Sequence, residues 1–409
     1  MEKRVLILIE GNSMGTGQRY VQAAECLDLH PITLSADPAQ YDYLLAEGIH
    51  AVRVDTGDLN ALVRECSQLR AGYDIAGITC AREAFYSTAG RLSQHFELAG
   101  PDPVSIERCC DKFAQRQLLA DAAMPVPIYG LAADAADVND LVAKIGLPVV
   151  LKPAVGNGST GVRLCRDVDE VAQHTAHLLG GKHIWRSPPE ILVEEFADGP
   201  YFSIDIMGNE VVGIAAGEFG PPPHFVYREY TFPAVLMDSE YQRVVDISLG
   251  CLRALGLGWG PTSIELRWTK RGPVVIEVNP RLAGTPDPQL IKLAYGVDLI
   301  TEHIKLAIGN ECDLRKRHSQ TAAAHFLVPD RDGILDSIDG DTQAAAIAGV
   351  AEVKFYIKPK SAIVRKGDWR DCIGHVIAAS PTRAQSDAIL QRAVDSIRWS
   401  ITPFPILDE

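Results

Sequence analysis

No stretch of this 409-residue chain approaches the roughly 20 consecutive apolar residues that a membrane span requires; the longest are short runs such as Pro148 to Leu151 with their flanks. Met1-Glu-Lys-Arg4 leads straight into five apolar residues, too few for the core of a secretory signal. Disulfide spacing is missing as well. The nine cysteines are odd in number, form no C-x-x-C, and include the adjacent Cys109 and Cys110, so reduced thiols in a cytoplasmic protein are expected. Positive charge is the scarcer sign. With 39 Lys and Arg against 53 Asp and Glu, the net charge of -14 argues against a nucleic-acid partner, because phosphate backbones select basic faces. At 47% hydrophobic and 22% charged, neither disorder nor membrane insertion is indicated, and the length allows two or three domains with sizeable cores.

Alternating strand and helix signals fill residues 1–105: Val5 to Glu10, a helix from Gly17, Ile32 to Ser35, a helix at Gln40 to Glu47, Ala51 to Asp55, and Ile75 to Thr79. That alternation predicts an open parallel sheet. Gly100-Pro-Asp-Pro103 breaks the chain before a second region, 106–310, in which residues from about 127 to 190 would form a lid. Asp167-Val-Asp-Glu170 starts a helix in capping-box fashion and Gly180-Gly181 stops it; a second long helix runs from Ser239 to Leu255. A third piece, 311–409, has strands near Ala322 to Val328, Val350 to Ile357 and Gly374 to Ser380, then a helix from Thr382 to about Ile397. The fold class expected is α/β, with an N-terminal open parallel-sheet domain and a C-terminal α+β subdomain.

Val274-Val-Ile-Glu-Val-Asn-Pro-Arg281 sets a carboxylate, an amide and a guanidinium at the mouth of one short strand. Glu277 and Asn279 share a face of that strand while Val278 packs behind. Thr262-Ser-Ile-Glu-Leu-Arg-Trp268 lies upstream, joined by the turn signal Thr269-Lys-Arg-Gly272. A three-residue loop would set Glu265 opposite Glu277. Like charges so placed are destabilising unless a cation lies between them, and oxygen ligands suit Mg²⁺; a surface hairpin with solvated acids is the other reading. Pro148-Val-Val-Leu-Lys152 is an apolar strand ending in a lysine, followed by Gly156-Asn-Gly158-Ser159-Thr160-Gly161. Such a loop lets backbone N–H groups approach phosphate oxygens. Although it matches G-x-G-x-x-G, Val162 to Cys165 continues as strand instead of opening a helix, so the loop is a lid and not a dinucleotide turn. No G-x-x-x-x-G-K-[ST] is present.

The ordered set Asp111-Lys112-Phe113, Lys152 with its glycine loop, Glu194-Glu195-Phe196, Tyr201 to Asp205, Glu265, and Glu277-Val-Asn279-Pro-Arg281 resembles the ATP-grasp superfamily. The opening Val5-Leu-Ile-Leu-Ile-Glu10-Gly-Asn-Ser-Met-Gly15-Thr-Gly17 and the run Asn279-Pro-Arg-Leu-Ala-Gly284 are similar to those of L-amino-acid (dipeptide) ligases and dapdiamide-synthetase-type ligases. The resemblance implies an ATP-grasp fold, with residues 1–105 as the pre-ATP-grasp domain, and a ligase that joins a carboxylate to an amine through an acyl phosphate, releasing ADP and phosphate. Lys112 and Lys152 would contact the nucleotide phosphates, with the loop bearing Gly156, Gly158, Ser159, Thr160 and Gly161 closing over them. The main chain at Glu195 and Phe196 would meet the adenine edge, with Glu194 nearby. Glu265, Glu277 and Asn279 would hold Mg²⁺, with Mn²⁺ a possible substitute. Arg281 would clamp an oxyanion, and the N–H of Gly284 would face the tetrahedral intermediate. Small-molecule carboxylate and amine substrates, a homodimer and a place in small natural-product biosynthesis are expected.

Other readings stay open on the residues. Lys112 could be an exposed helix lysine, Arg281 could pair with Asp287, Asp205 reads as structural, and Cys165 and Cys251 read as small core residues. The dipeptide ligases carry a glutamate and, three residues on, a histidine before a Pro-Ala pair. Here the pair is Pro233-Ala234 and the matching positions are Tyr227 and Tyr230, with Glu229 between them as the alternative source of charge. This predicts at least one substrate other than a plain small α-amino acid. His224 lies in the stretch where such ligases bind substrate, although a structural or solvent-facing role competes. The rival functions are a carboxylase-type or purine-pathway ATP-grasp enzyme using bicarbonate, a nicotinamide-dependent oxidoreductase prompted by the glycine-rich stretches, and a nucleotide-binding regulator without turnover.

Overall fold

The computed structural model describes residues 3–12, 15–181 and 190–405. Ser13 and Met14 of the opening motif, and 182–189 of the expected lid, lie outside the described residues.

The N-terminal region is the expected open parallel sheet, in the order His50–Arg53, His30–Ser35, Lys3–Ile9, Tyr73–Thr79. The apolar run Val5 to Ile9 is fully buried because helices cover both faces, as parallel sheets require. Two of those helices, Leu59–Leu69 and Tyr86–His95, lie beyond the sequence-based expectation.

An eight-stranded antiparallel sheet forms the centre, in the order Gly272–Asn279, Pro261–Thr269, Tyr201–Met207, Glu210–Phe219, Tyr227–Phe232, Thr321–Leu327, Gly374–Ser380, Val350–Phe355. Strands from beyond residue 311 thus extend the same sheet. They also carry a small three-stranded sheet, Ala362–Ile363, Gly333–Asp339 and Arg398–Thr402, that the sequence reading lacks. All seven residues of Tyr201–Met207 are buried, so both faces of this strand are covered. Phe202, Ile204 and Ile206 pack with Val244, Cys251 and Leu252 of the helix Asp238–Leu255, while Tyr201, Ser203 and Asp205 alternate with them along the strand.

A second antiparallel sheet, in the order Tyr129–Ala132, Ile191–Glu195, Val149–Pro153, Arg163–Cys165, occupies the region expected as the lid and runs past its expected end at residue 190. Its helix Val168–Gly180 starts at Asp167, whose side chain accepts from Glu170 N. Among the described residues no helix is long and apolar enough to cross a membrane.

Candidate active site

One cavity of about 600 Å³ lies between the lid loop, the central sheet, the N-terminal sheet and the segment around Trp369. Its sheet wall is built on Glu265 and Glu277, which stand directly opposite each other. The predicted pairing is right, but the predicted three-residue loop is wrong. The turn has two residues, Thr269 pairing with Gly272, and a bulge at Ile276 supplies the extra residue that brings Glu277 opposite Glu265. Ile276 and Glu277 both line the cavity as a result. Asn279 donates to Glu265 Oε1 at 3.4 Å, and its own Oδ1 accepts from Arg281 at 3.3 Å.

The helix Lys112–Asp121 supplies the cations. Asp111 caps it by accepting from Phe113 N and Ala114 N, which fixes the first turn against the sheet. Residues i, i+3 and i+4 of that turn, Lys112, Gln115 and Arg116, are all buried. Lys112 Nζ lies 2.9 Å from Glu277 and donates to Gly156 O of the lid loop, so it is no exposed helix lysine. Gln115 bonds both the N–H and the C=O of Val278 at 2.8 Å. Arg116 Nε meets Glu194 at 2.6 Å, and Lys152 Nζ meets the other oxygen of Glu194 at 2.5 Å. Charge-assisted bonds contribute roughly 1.5–3 kcal/mol each, while desolvating each ion costs several kcal/mol. The Lys152–Glu194–Arg116 cluster therefore fixes positions more than it adds net stability.

These neighbours shape the protonation states. Burial pushes the Glu277 carboxyl up, but Lys112, Lys152 and Arg281 outweigh it and hold it below the ordinary range. Glu194 follows the same logic with Arg116 and Lys152. Glu265 lacks so close a cation; burial and the facing Glu277 push it up to about 7. Lys152 is lowered by burial. Arg281 does not pair with Asp287: its Nε meets Glu83 Oε2 of the N-terminal region at 2.7 Å.

Lid and pocket residues are placed unevenly. Gly156, Gly158, Ser159 and Thr160 line the cavity, whereas Gly161 borders a second hollow. Gly158 has φ 62 and a Cβ there would come within 2.2 Å of the Trp369 ring, so the loop tip needs glycine to dock where it does. Glu195 and Phe196 line the cavity, but their N–H groups are engaged inside the lid, to Ile128 O at 2.8 Å and Pro148 O at 3.3 Å. With both N–H groups engaged, the carbonyl groups are what this main chain has left to offer an adenine edge. Gly284 borders the cavity, and a Cβ on it would meet nothing within 4 Å.

Tyr227 and Tyr230 face the cavity, linked through Tyr201: Tyr201 Oη lies 2.7 Å from Tyr227 Oη and 3.4 Å from Tyr230 Oη. Glu229 is turned to the other face, where it accepts from His325 at 2.9 Å. His224 is a correction. It borders the second hollow beside Gly367, away from the central cavity, because the loop after Phe219 folds back toward the C-terminal segment. Missed by the sequence reading were Glu83, Arg116 and Arg267, and Asp287 entered it only as a partner for Arg281. Arg116 carried a signal, a polar residue one turn beyond Lys112 on a buried helix face. Glu83 carried none.

Glu265 and Glu277, with the Asn279 amide beside them, offer the oxygen donors that a hard divalent cation needs. Among the described residues no group of three His, Cys, Asp or Glu side chains is placed to hold a metal. The set at hand, two carboxylates and an amide, fits a cation whose shell is completed by phosphate oxygens.

Residues 145–288 match the ATP-grasp domain model and residues 325–402 match L-amino acid ligase C-terminal domain 2. The chain belongs to the ATP-grasp carboxylate-amine ligases. The ligase is 61% identical over 407 residues to the uncharacterized protein y4rH of Sinorhizobium fredii, covering 100% of this chain and 85% of that one. Carnosine synthase 1 of Mus musculus is 29% identical over 186 residues, 42% of the ligase and only 22% of the synthase. The crystal structure of L-amino acid ligase from Bacillus licheniformis superposes with a TM-score of 0.82 at 20% identity, covering 98% of the ligase and 100% of that chain; at that identity the likeness is one of fold. The oxidoreductase reading falls. Gly156 to Gly161 joins two paired antiparallel strands, so no helix opens at the loop as a dinucleotide turn requires.

Proposed function

We propose that the ligase activates an amino acid, or a carboxylate derived from one, as an acyl phosphate and passes the acyl group to an amine, giving a peptide or amide, ADP and phosphate. The observation that carries this reading is the Glu265–Glu277 pair, ringed by Lys112, Lys152 and Arg281 in a single cavity. Phosphoryl transfer depends mainly on positioning and charge neutralisation, which such a ring supplies.

In the first step a carboxylate oxygen of the acid bonds the γ-phosphorus of ATP and the bond to the bridging oxygen of ADP breaks. In the second the amine nitrogen bonds the acyl carbon, the C–O bond to phosphate breaks, and the nitrogen gives up its proton. Lys112 and Lys152 would neutralise the phosphates under the glycine loop, exchanging their present carboxylate partners in part for phosphate oxygens. Glu265, Glu277 and Asn279 would hold Mg²⁺, or Mn²⁺ in its place, which supplies charge neutralisation and a template for the phosphate oxygens. Arg281, held by Glu83, presents its remaining N–H groups to a developing oxyanion, and the Gly284 backbone lies beside it on the cavity wall.

Tyr227 and Tyr230 in place of glutamate and histidine support an acid or amine other than a plain small α-amino acid, and with it a role in small natural-product biosynthesis. Nine free cysteines support a cytoplasmic setting; a homodimer is the assembly proposed, to be checked by sedimentation. The chemical test uses acid labelled with ¹⁸O in its carboxylate. Acyl-phosphate formation sends one label into inorganic phosphate; label recovered in AMP identifies an adenylate route instead and removes the proposal.

A further inference from the structure

Two of the acids on the cavity wall are met by cations. Glu194 has Arg116 and Lys152, and Glu277 has Lys112. Asp287 and Asp205 are as deeply buried, at 2% and 1% exposure, yet Asp287 Oδ1 and Asp205 Oδ2 have no hydrogen-bond partner among the described residues. Asp287 opens the helix Asp287–Tyr295 and lines the cavity; Asp205 stands on the central strand opposite Ser263. The two acids act on each other electrostatically, and Ser203 bonds Asp287. Arg281 is the cation that acts on Asp205, and its bonds go to Glu83, Leu282 O and Asn279.

We propose, on the reading of this cavity as a ligase site, that Asp287, backed by Asp205, seats an ammonium group carried by one of the two substrates. Two neighbouring buried carboxylates are costly unless a cation or a shared proton offsets them. An ammonium brings three donors and no acceptor, which suits an idle carboxylate oxygen beside a serine hydroxyl. Tyr227 and Tyr230, both within electrostatic reach of Asp287, add aromatic faces that attract a cation. The strand Tyr227–Phe232 presents no acid to the cavity, since Glu229 is turned to His325; the first turn of a later helix presents one instead.

The ammonium can belong to the acid or to the amine, and the probes separate the two. Melting of the full chain with ADP and Mg²⁺ is compared with β-alanine against propionate for the acid side, and with n-butylamine against n-butanol for the amine side. In the wild type at least one ammonium probe stabilises more than its ammonium-free counterpart. Asp287→Asn, nearly isosteric, weakens that probe's binding roughly tenfold or more, as expected when one partner of a buried charge pair is removed. Asp205→Asn weakens it in the same direction and provides the check if the first variant folds poorly. Equal responses within both probe pairs in the wild type, or an unchanged preference in Asp287→Asn, overturns the seat. ADP release judges the ligase reading separately: turnover with the preference intact in Asp287→Asn sinks the seat alone, whereas a preference lost in the variant, with no acid and amine giving ADP, sinks the ligase alone.

Discussion

Glu265 and Glu277 face each other across adjacent antiparallel strands because a single bulge residue, Ile276, corrects the register set by the two-residue turn. Without the bulge, the carboxylate three residues past Val274 would alternate to the other face of the sheet. Glu277 instead lies on the cavity wall, 2.9 Å from Lys112.

Glu277→Ala and Lys152→Ala are each expected to lower turnover on the order of a hundredfold or more, as for loss of one strong electrostatic stabiliser. Far-UV circular dichroism should match the wild type, because neither side chain belongs to the apolar core. Near-normal activity of Glu277→Ala at saturating Mg²⁺ would mean that the hairpin carboxylates are only structural acids.

Arg281 holds Glu83 through Nε and Asn279 through Nη2. A lysine cannot form that fork, so Arg281→Lys should reduce kcat by about a hundredfold. Glu83→Gln, which keeps the shape and weakens the anchor, should produce a smaller fall in the same parameter. Steady-state kinetics at saturating ATP separate the two; equal KM effects with kcat untouched would assign both residues to binding alone.

Gly158 sits at φ 62 with the Trp369 ring against its open side. Gly158→Ala should raise the KM for ATP by lifting the loop tip, and Trp369→Ala combined with it should recover part of the loss by removing the clash. Unchanged ATP binding in Gly158→Ala would show that the docked loop plays no part in holding the nucleotide.

Burial pushes the Asp287 carboxyl up from 3.8 to about 7, with Asp205 and Glu265 as its acidic neighbours. The unfolded chain therefore ionises at this position between pH 4 and 7 while the folded chain does not, and the contribution of Asp287 to stability falls as pH rises through that window. Relative to the wild type, Asp287→Asn should gain stability on going from pH 5 to pH 8 in the absence of substrates. A constant difference in melting temperature across that range would contradict the raised carboxyl.

Tyr227→Glu made together with Tyr230→His should move substrate preference toward unmodified amino acids. Competition between free alanine and larger or acylated acids reads this out. If the wild type already joins free alanine to another free amino acid as well as any other pair, the tyrosine argument fails while the ligase stands.

Local signals carried most of what could be read in advance. The parallel N-terminal sheet follows from apolar runs and helix spacing, and the helix Val168–Gly180 from its Asp167 cap. The helix Leu59–Leu69 has an equally local signal, the Asp58 cap with Leu62 and Cys66 on one buried face, but is absent from the sequence-based expectation. The strands Gly333–Asp339 and Arg398–Thr402 pair across about sixty residues of chain, and nothing in either short segment specifies so distant a partner. The site divides the same way. Glu277, Asn279 and Arg281 share one motif, whereas Glu83 reaches Arg281 from 198 residues away, and the placement of Asp287 in the cavity depends on how a helix packs against the sheet.

The most direct measurement incubates the purified chain with ATP, Mg²⁺ and acids and amines in pairs, and follows the nucleotide products together with the mass of any condensed product. The account predicts ADP and inorganic phosphate in equal amounts with an amide or peptide whose mass is that of the two substrates less water. AMP and pyrophosphate as the only products of ATP cleavage would contradict it.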